Sequence, residues 1–333
     1  MNPIHPSRNS PMKFLSLAAT TLLAGSSLLA HAQSYPSKLI TFVVPFAPGG
    51  GVDVLTRAVG AKLSERWHQP VIVENKAGAG STIGTAQVAR ATPDGYTLLA
   101  TVNQTMVGNR FLYKNLPYDP DKSFEPITMM VNAEQLIVAN ARFPANSLKE
   151  VVELAKKKPD SINYGSYGNG SQPHLLFSLI NEREKINLVH IPYTGITPNL
   201  TAVAAGDVQL GSASAGVIAP LVQGGKIKPI AVAGDAPVAQ FPKVTTTAAQ
   251  GFPYAKVSIW YGLFAPAGTP PAIVKQIRDA VHEVLSDPKF VQEQATSRGL
   301  TVVAGDGRQL REAVAKEVEV TGAMIKAAGV VPE

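Results

Sequence analysis

"VVPFAPGGGVDVLTR", residues 43 to 57, decides how the rest of the chain is read. A run of β-type residues stops at Pro45, resumes for two residues, then gives way to Pro48 and the glycines Gly49 to Gly51. Beyond them Val52, Leu55, Val59, Leu63 and Trp67 recur at helical spacing. Strand, glycine turn and helix start together present backbone N–H groups, and the positive end of a helix, to an anion. The Gly-Lys-Ser/Thr of a phosphate-binding P-loop is absent, so a carboxylate fits better than a phosphate. Asp53 falls in the helix's first turn, where an acid suits the dipole. The glycine N–H groups are the expected contacts, and Asp53 is expected to hold the loop in shape.

Outward from this stretch, strand and helix signals alternate. "LITFVV" (39–44), "VIV" (71–73) and "YTLLATV" (96–102) read as strands separated by helical segments at 52–67 and 78–90. This order predicts a parallel sheet with helices on both faces. A second block repeats the alternation. Extended apolar residues at 127–139 precede a capping box, Ser147 to Glu150, that opens a helix running to Lys158. Strands at 162–166, 187–193, 208–214 and 227–234 then alternate with helices at 173–184, 198–205 and 216–223. "VSIWYGLFAP" (257–266) is a long strand, followed by a helix with Thr269 as N-cap and Pro270 at its first position, and by a last helix over 308–328. Two similar α/β blocks joined by two extended crossings predict two lobes with a cleft between them. The expected boundaries are 33–131 and 255–333 for the first lobe and 132–254 for the second.

The first 32 residues carry the marks of an export signal: Arg8 and Lys13, an apolar run from Phe14 to Ala30, and Ala30-His31-Ala32 as a cleavage site. Cleavage after Ala32 and a periplasmic location are expected. The chain has no cysteine, which excludes the lipid-anchored export class and leaves core burial to hold 333 residues together. Without Arg8 and Lys13, the 30 basic residues become 28, against 24 acids, a net of +4. That excess is scattered, and no aromatic-basic platform for nucleic acid is present.

Four loops, each after a strand and before a helix, carry the functional signal. The first is 45–53. The second, "AGAGSTIG" (77–84), has the glycines of a nicotinamide-cofactor turn, but the next strand ends Val102-Asn103-Gln104 without the charged ribose reader; close helix packing or cleft lining is expected instead. The third, "YGSYGNGSQPH" (164–174), is rich in N–H groups and hydroxyls, and comes from the second block, so it can face the first loop. The fourth is "YTGITP" (193–198). No serine of the mature chain stands in G-x-S-x-G. His68, His174, His190 and His282 form no metal-ligand spacing. Oxyanion-holding groups are abundant while nucleophiles and bases are scarce, a balance that favours binding over turnover. No cofactor and no metal are expected.

In order, "VVPFAPGGGVD", "ENKAGAGSTIG", "PDGYTLL", "YGSYGNGSQPHL", "IPYTG" and "WYGLFAPAGTP" resemble the Bug family of periplasmic solute receptors of tripartite tricarboxylate transporters, over essentially the whole mature chain. The resemblance implies a two-lobed α/β periplasmic-binding-protein fold, type II-like, with the ligand cleft between the lobes. It implies a non-enzymatic, monomeric receptor that takes a small carboxylate, a di- or tricarboxylate or an aromatic acid, and delivers it to a membrane permease. A ligand-sensing receptor for signalling and an esterase-like hydrolase are the alternatives. Carried over residue by residue, it points to Phe46, Ala47, Gly50 and Gly51 in the first loop, and to Ser166, Gly168, Asn169, Gly170 and Ser171 in the third. Asn103 and Tyr193 line the cleft on the same analogy. Three departures, Gln209, Ser178 and the run Gly211 to Ser214, stand where relatives often carry acids, which disfavours a ligand with an amine.

Overall fold

The computed structural model describes Met1, Pro3 and residues 35–332. The export signal's charged and apolar regions and its cleavage site, Arg8 to Ala32, lie outside the described residues. The chain divides into a short N-terminal unit, Met1–Ser37, whose Tyr35–Pro36 bond is cis, and a large unit, Lys38–Glu333.

The large unit begins with the predicted alternation: β1 (Ile40–Val44), α1 (Gly51–Trp67), β2 (Val71–Asn75), α2 (Thr82–Ala89), β3 (Thr97–Val102) and a short α3 (Asn109–Leu112). β1 pairs in parallel with both β2 and β3, each connection running through a helix, as parallel neighbours require. The apolar stripe of α1 is buried at Val52, Leu55, Val59 and Leu63. Leu63, with no exposure, contributes roughly 1.5–3 kcal/mol relative to a solvated side chain.

β4 (Phe124–Asn140) is the element on which the architecture turns. Its 17 residues are buried almost throughout, which explains the run of apolar residues without alternation. Its first half lies antiparallel to β9 (Ser258–Pro266) and β10 (Leu300–Asp306); its second half lies antiparallel to β7 (Leu210–Ser214) and β8 (Ile227–Val232). Between β4 and β8 the chain contributes α4 (Leu148–Lys157), β5 (Asn163–Ser166), α5 (Gln172–Glu184), β6 (Val189–Pro192), α6 (Ile196–Ala205) and α7 (Ala215–Gln223), with β5 parallel to β6 and β7. After β9 come α8 (Pro271–Ser286), β10 and α9 (Gly307–Ala327). The strands form one mixed sheet in the order β2-β1-β3-β9-β4-β7-β5-β6, with β8 and β10 also on β4. A return crossing accompanies β4: Ala233 donates its N–H to Gln135 O, and Val257 donates to Ala233 O.

Three local readings shift. The cap of α8 is Pro270, with Pro271 in its first turn, while the Thr269 hydroxyl turns back to donate to Pro266 O. At α4 Ser147 accepts from Glu150 N, but the Glu150 carboxylate reaches Asn146 N, one residue before the cap. β10 has no counterpart in the sequence reading. Its alternation is broken by Ala304, at φ 45°, and by a register shift between Val302 and Gly305, and such a bulge erases the period-two signal. It leads straight into α9, whose capping box of Asp306 and Gln309 is complete.

Candidate functional site

The turn from β1 into α1 is built around Asp53. This carboxylate is 2% exposed. It accepts from Gly49 N (2.8 Å), Arg57 Nε (3.2 Å) and Asn75 Nδ2 (2.9 Å), and pairs with Arg57 Nη2 at 3.0 Å. Asn75 also donates to Phe46 O, which ties the loop's other end to β2. Burial by itself would raise the Asp53 pKa; the Gly49 N–H, Arg57 and Asn75 outweigh it and hold the group below its ordinary value. Gly49, at φ 87°, adopts a conformation that suits glycine. The result is a loop fixed from behind. Ala47, Gly50 and Gly51 stay exposed and Phe46 is half-buried. Helix α1 starts without a side-chain cap, so its first-turn N–H groups, of Gly51, Val52 and Asp53, have no intrahelical acceptor.

The β5–α5 loop is fixed from within. Both Ser166 and Ser171 donate their hydroxyls to Gly168 O, at 3.0 and 2.6 Å. Ser166 is fully buried, and its oxygen also shares a hydrogen bond with His190 Nε2 (2.7 Å). His174 Nδ1 accepts from Gly170 N (3.0 Å). The two imidazoles stack at 4.1 Å, and His190 stacks in turn on Tyr164. Gly168 and Gly170 sit at φ 125° and 72°. Asn169 is exposed at the loop's tip. The serine and histidine chemistry is thus turned inward: Ser171 does not meet His174, and Ser166 has no exposure to a substrate.

The hydrogen bond that His174 accepts requires that ring to be neutral. His174 accepts through Nδ1, and burial lowers the pKa of both rings, that of His190 to about 4 with His174 adding to the effect. A base whose folded pKa lies below its unfolded value stabilises the fold above the unfolded value, near 6.5, and that stability is lost as pH falls towards 4. The melting temperature should therefore drop between pH 7 and pH 5, and drop less for His190→Phe, as thermal melts at the two pH values will show.

The remaining predicted positions fall as follows. Asn103, 4% exposed, donates from Nδ2 to Glu317 Oε1, whose other oxygen accepts from Trp260 Nε1 (2.6 Å). Tyr193 donates its backbone N–H to Ser166 O (2.9 Å), and its ring lies beside Gly165. The 77–84 loop packs: a Cβ on Gly84 would lie 2.7 Å from Lys76 O, and Asn109 Nδ2 donates to Gly80 O and Ser81 Oγ. Gln209 Oε1 accepts from Asn163 N (2.8 Å), and its Nε2 donates to Gly206 O. Among the described residues no cluster of acids and histidines has the makings of a metal site, and no helix is long and apolar enough to cross a membrane.

Each loop has a neighbour that the sequence does not announce. Tyr261, in β9, places its hydroxyl against Gly51. Gly170 packs against Leu112 of α3. Beside this junction is a cavity of about 400 Å³, lined by Gln104, Leu112 and Tyr113 on one side, Asn169 and His174 on the other, and the segment Ala328 to Val331. The signal for Tyr261 lay in "WYG", but a tyrosine in an apolar strand reads as core until its neighbour is known to be a glycine.

A family model described as "Tripartite tricarboxylate transporter family receptor" matches residues 55–330. The chain belongs to that family. The solved structure of the periplasmic binding protein BugD is 35% identical, covers 90% of this chain and 100% of its own, and superposes with a TM-score of 0.75. MatC from Rhodopseudomonas palustris, solved with bound malate, is 31% identical over 87% of this chain and 100% of its own, at a TM-score of 0.74. A second R. palustris protein, Rpa4515, solved with adipate, is 28% identical over 90% of this chain and 100% of its own, at 0.80. The receptor thus has the two-lobed α/β fold of periplasmic binding proteins, and its family consists of solute receptors.

Proposed function

We propose that this receptor holds a small carboxylate, a di- or tricarboxylate or an aromatic acid, between the β1–α1 turn and the β5–α5 loop, and hands it without turnover to a membrane permease. The observation that carries this reading is the first turn of α1, where backbone donors stand in an exposed loop that Asp53 stiffens from behind. In this account Phe46, Ala47, Gly50 and Gly51 take one end of the ligand; Ser166, Gly168, Asn169, Gly170 and Ser171 shape the other, with Asn103 and Tyr193 at the flanks. Ser166 and Ser171 act through the loop they fold, since their hydroxyls already serve Gly168 O. Residues 33–131 and 255–333 make one lobe and 132–254 the other, closing about the two crossings beside Gln135. The mature chain, cleaved after Ala32, works in the periplasm as a monomer.

Each hydrogen bond to a charged group is worth about 1.5–3 kcal/mol; three or four of them, less ordering costs, reach roughly micromolar affinity, about −8 kcal/mol. The bound acids of MatC and Rpa4515 belong to the same chemical class. A thermal-shift screen of the mature chain over aliphatic dicarboxylates, tricarboxylates, aromatic acids and acidic amino acids tests the proposal. At least one acid should raise the melting temperature by several degrees at saturation; a flat response across the panel contradicts it.

A further inference from the structure

The two crossings of the chain meet at the middle of β4. Glu134 is the last residue of β4 to pair with β9, opposite Ser258, and Gln135 is the first to pair with β7, opposite Ser214. Alongside them runs the return crossing, where Ala233 donates its N–H to Gln135 O and accepts from Val257 N. The side chain of Glu134 lies on the next residue of that crossing: its Oε2 is the nearest atom that a side chain on Gly234 would meet. A glycine at 234 leaves the space that the carboxyl group fills. Oε2 is buried there, and has no hydrogen-bond partner among the described residues. Burying a carboxylate without donors is costly, and burying a neutral carboxyl group costs far less.

The charged groups that bear on Glu134 do not remove this cost. Asp235, beside Gly234, is a second acid. Lys256, at the far end of the return crossing, is ion-paired with Asp235, and the pair is exposed. Burial raises the Glu134 pKa and Asp235 adds to the rise, while Lys256 opposes it. We propose that Glu134 is a proton-linked switch at the crossings: the neutral acid rests on Gly234, and the carboxylate favours a lobe arrangement in which the crossings part and water reaches it. The inference rests on the lobe closure proposed above and names a group that regulates it. A proton and a lobe movement that share one group are linked, so each shifts the other.

Thermal melts of the ligand-free mature chain and of Glu134→Gln, at pH 5 and pH 8, test the first half. An acid held above its ordinary value, near 4.3, binds its proton more tightly in the folded chain than in the unfolded one. Its ionisation therefore destabilises the fold; the cost is absent below the ordinary value and complete once pH exceeds the folded one. Glu134→Gln should melt about two degrees above the parent at pH 8, and the gap should narrow at pH 5. In a Gly234→Ala background, where the new methyl group drives the carboxylate into water, Glu134→Gln should gain nothing at either pH. A gap that is the same at both pH values overturns the switch. The second half is read by energy transfer between dyes on Lys62→Cys and Lys157→Cys, on α1 and α4, in a chain with no cysteine of its own. The transfer should shift between pH 5 and pH 8 in the otherwise unaltered chain and stay constant with Glu134→Gln. Equal shifts in both overturn the link to the lobes. Neither measurement uses a ligand, so a failure here leaves the carboxylate reading standing, and a failure of that reading leaves these results intact.

Discussion

Gly51→Val should abolish ligand binding, with a loss of at least a hundredfold in affinity. Position 51 is the first residue of α1, and a side chain there runs into the Tyr261 hydroxyl at once. The Tyr261 ring is buried in β9 and has little room to yield. Overpacking of this kind costs about 1–3 kcal/mol, so the fold should survive while the N–H groups of the turn are pushed off register and covered by the new methyl groups. Calorimetry on the variant reads the binding loss, and a thermal melt reads the stability. In the double variant Gly51→Val, Tyr261→Ala the destabilisation should be smaller than the sum of the two singles, because the clash is between these two side chains. Affinity should remain lost.

Asp53→Ala should be the most damaging change in the loop that does not touch ligand. It deprives the Gly49 N–H, Arg57 and Asn75 of a shared acceptor that is almost wholly buried. Arg57 is half exposed and regains water, so the cost comes mainly from Gly49 and Asn75. A loss of about 2–4 kcal/mol is expected, or roughly 3–6 °C in melting temperature for a chain of this size. Affinity should fall by about tenfold as well, since Asn75 would no longer be fixed where it holds Phe46 O. Asp53→Asn keeps an acceptor but points an amide at Arg57, and should lie between Asp53→Ala and the parent in both measurements.

Much of this was legible in the sequence, for reasons that differ by element. The β1–α1 turn could be read because its glycines and the apolar spacing of α1 are local signals. The part assigned there to Asp53 matches the bonds it makes. The second block could be read because β5, β6 and β7 are each followed by a helix. What escaped was non-local. Nothing in "NYGS" announces that Ser166 faces His190, because that contact joins β5 to β6 and depends on sheet order; the closure of both serines on Gly168 O is local, but turns on the positive φ of Gly168 and Gly170. Tyr261 was hidden for the same reason. Its strand reads as buried core, and its place against Gly51 follows only from the pairing of β9 with β3. β10 escaped because a bulge interrupts its alternation.

A crystal structure of the mature chain with the tightest-binding acid tests the central claim most directly. One carboxylate should lie within hydrogen-bonding distance, about 2.7–3.2 Å, of the Gly50 and Gly51 N–H groups and of the Tyr261 hydroxyl, directly or through one water. The far end of the ligand should rest on the loop from Gly168 to Ser171. A ligand found instead in the cavity between Gln104 and Val331, with the first turn of α1 bare, would contradict the account.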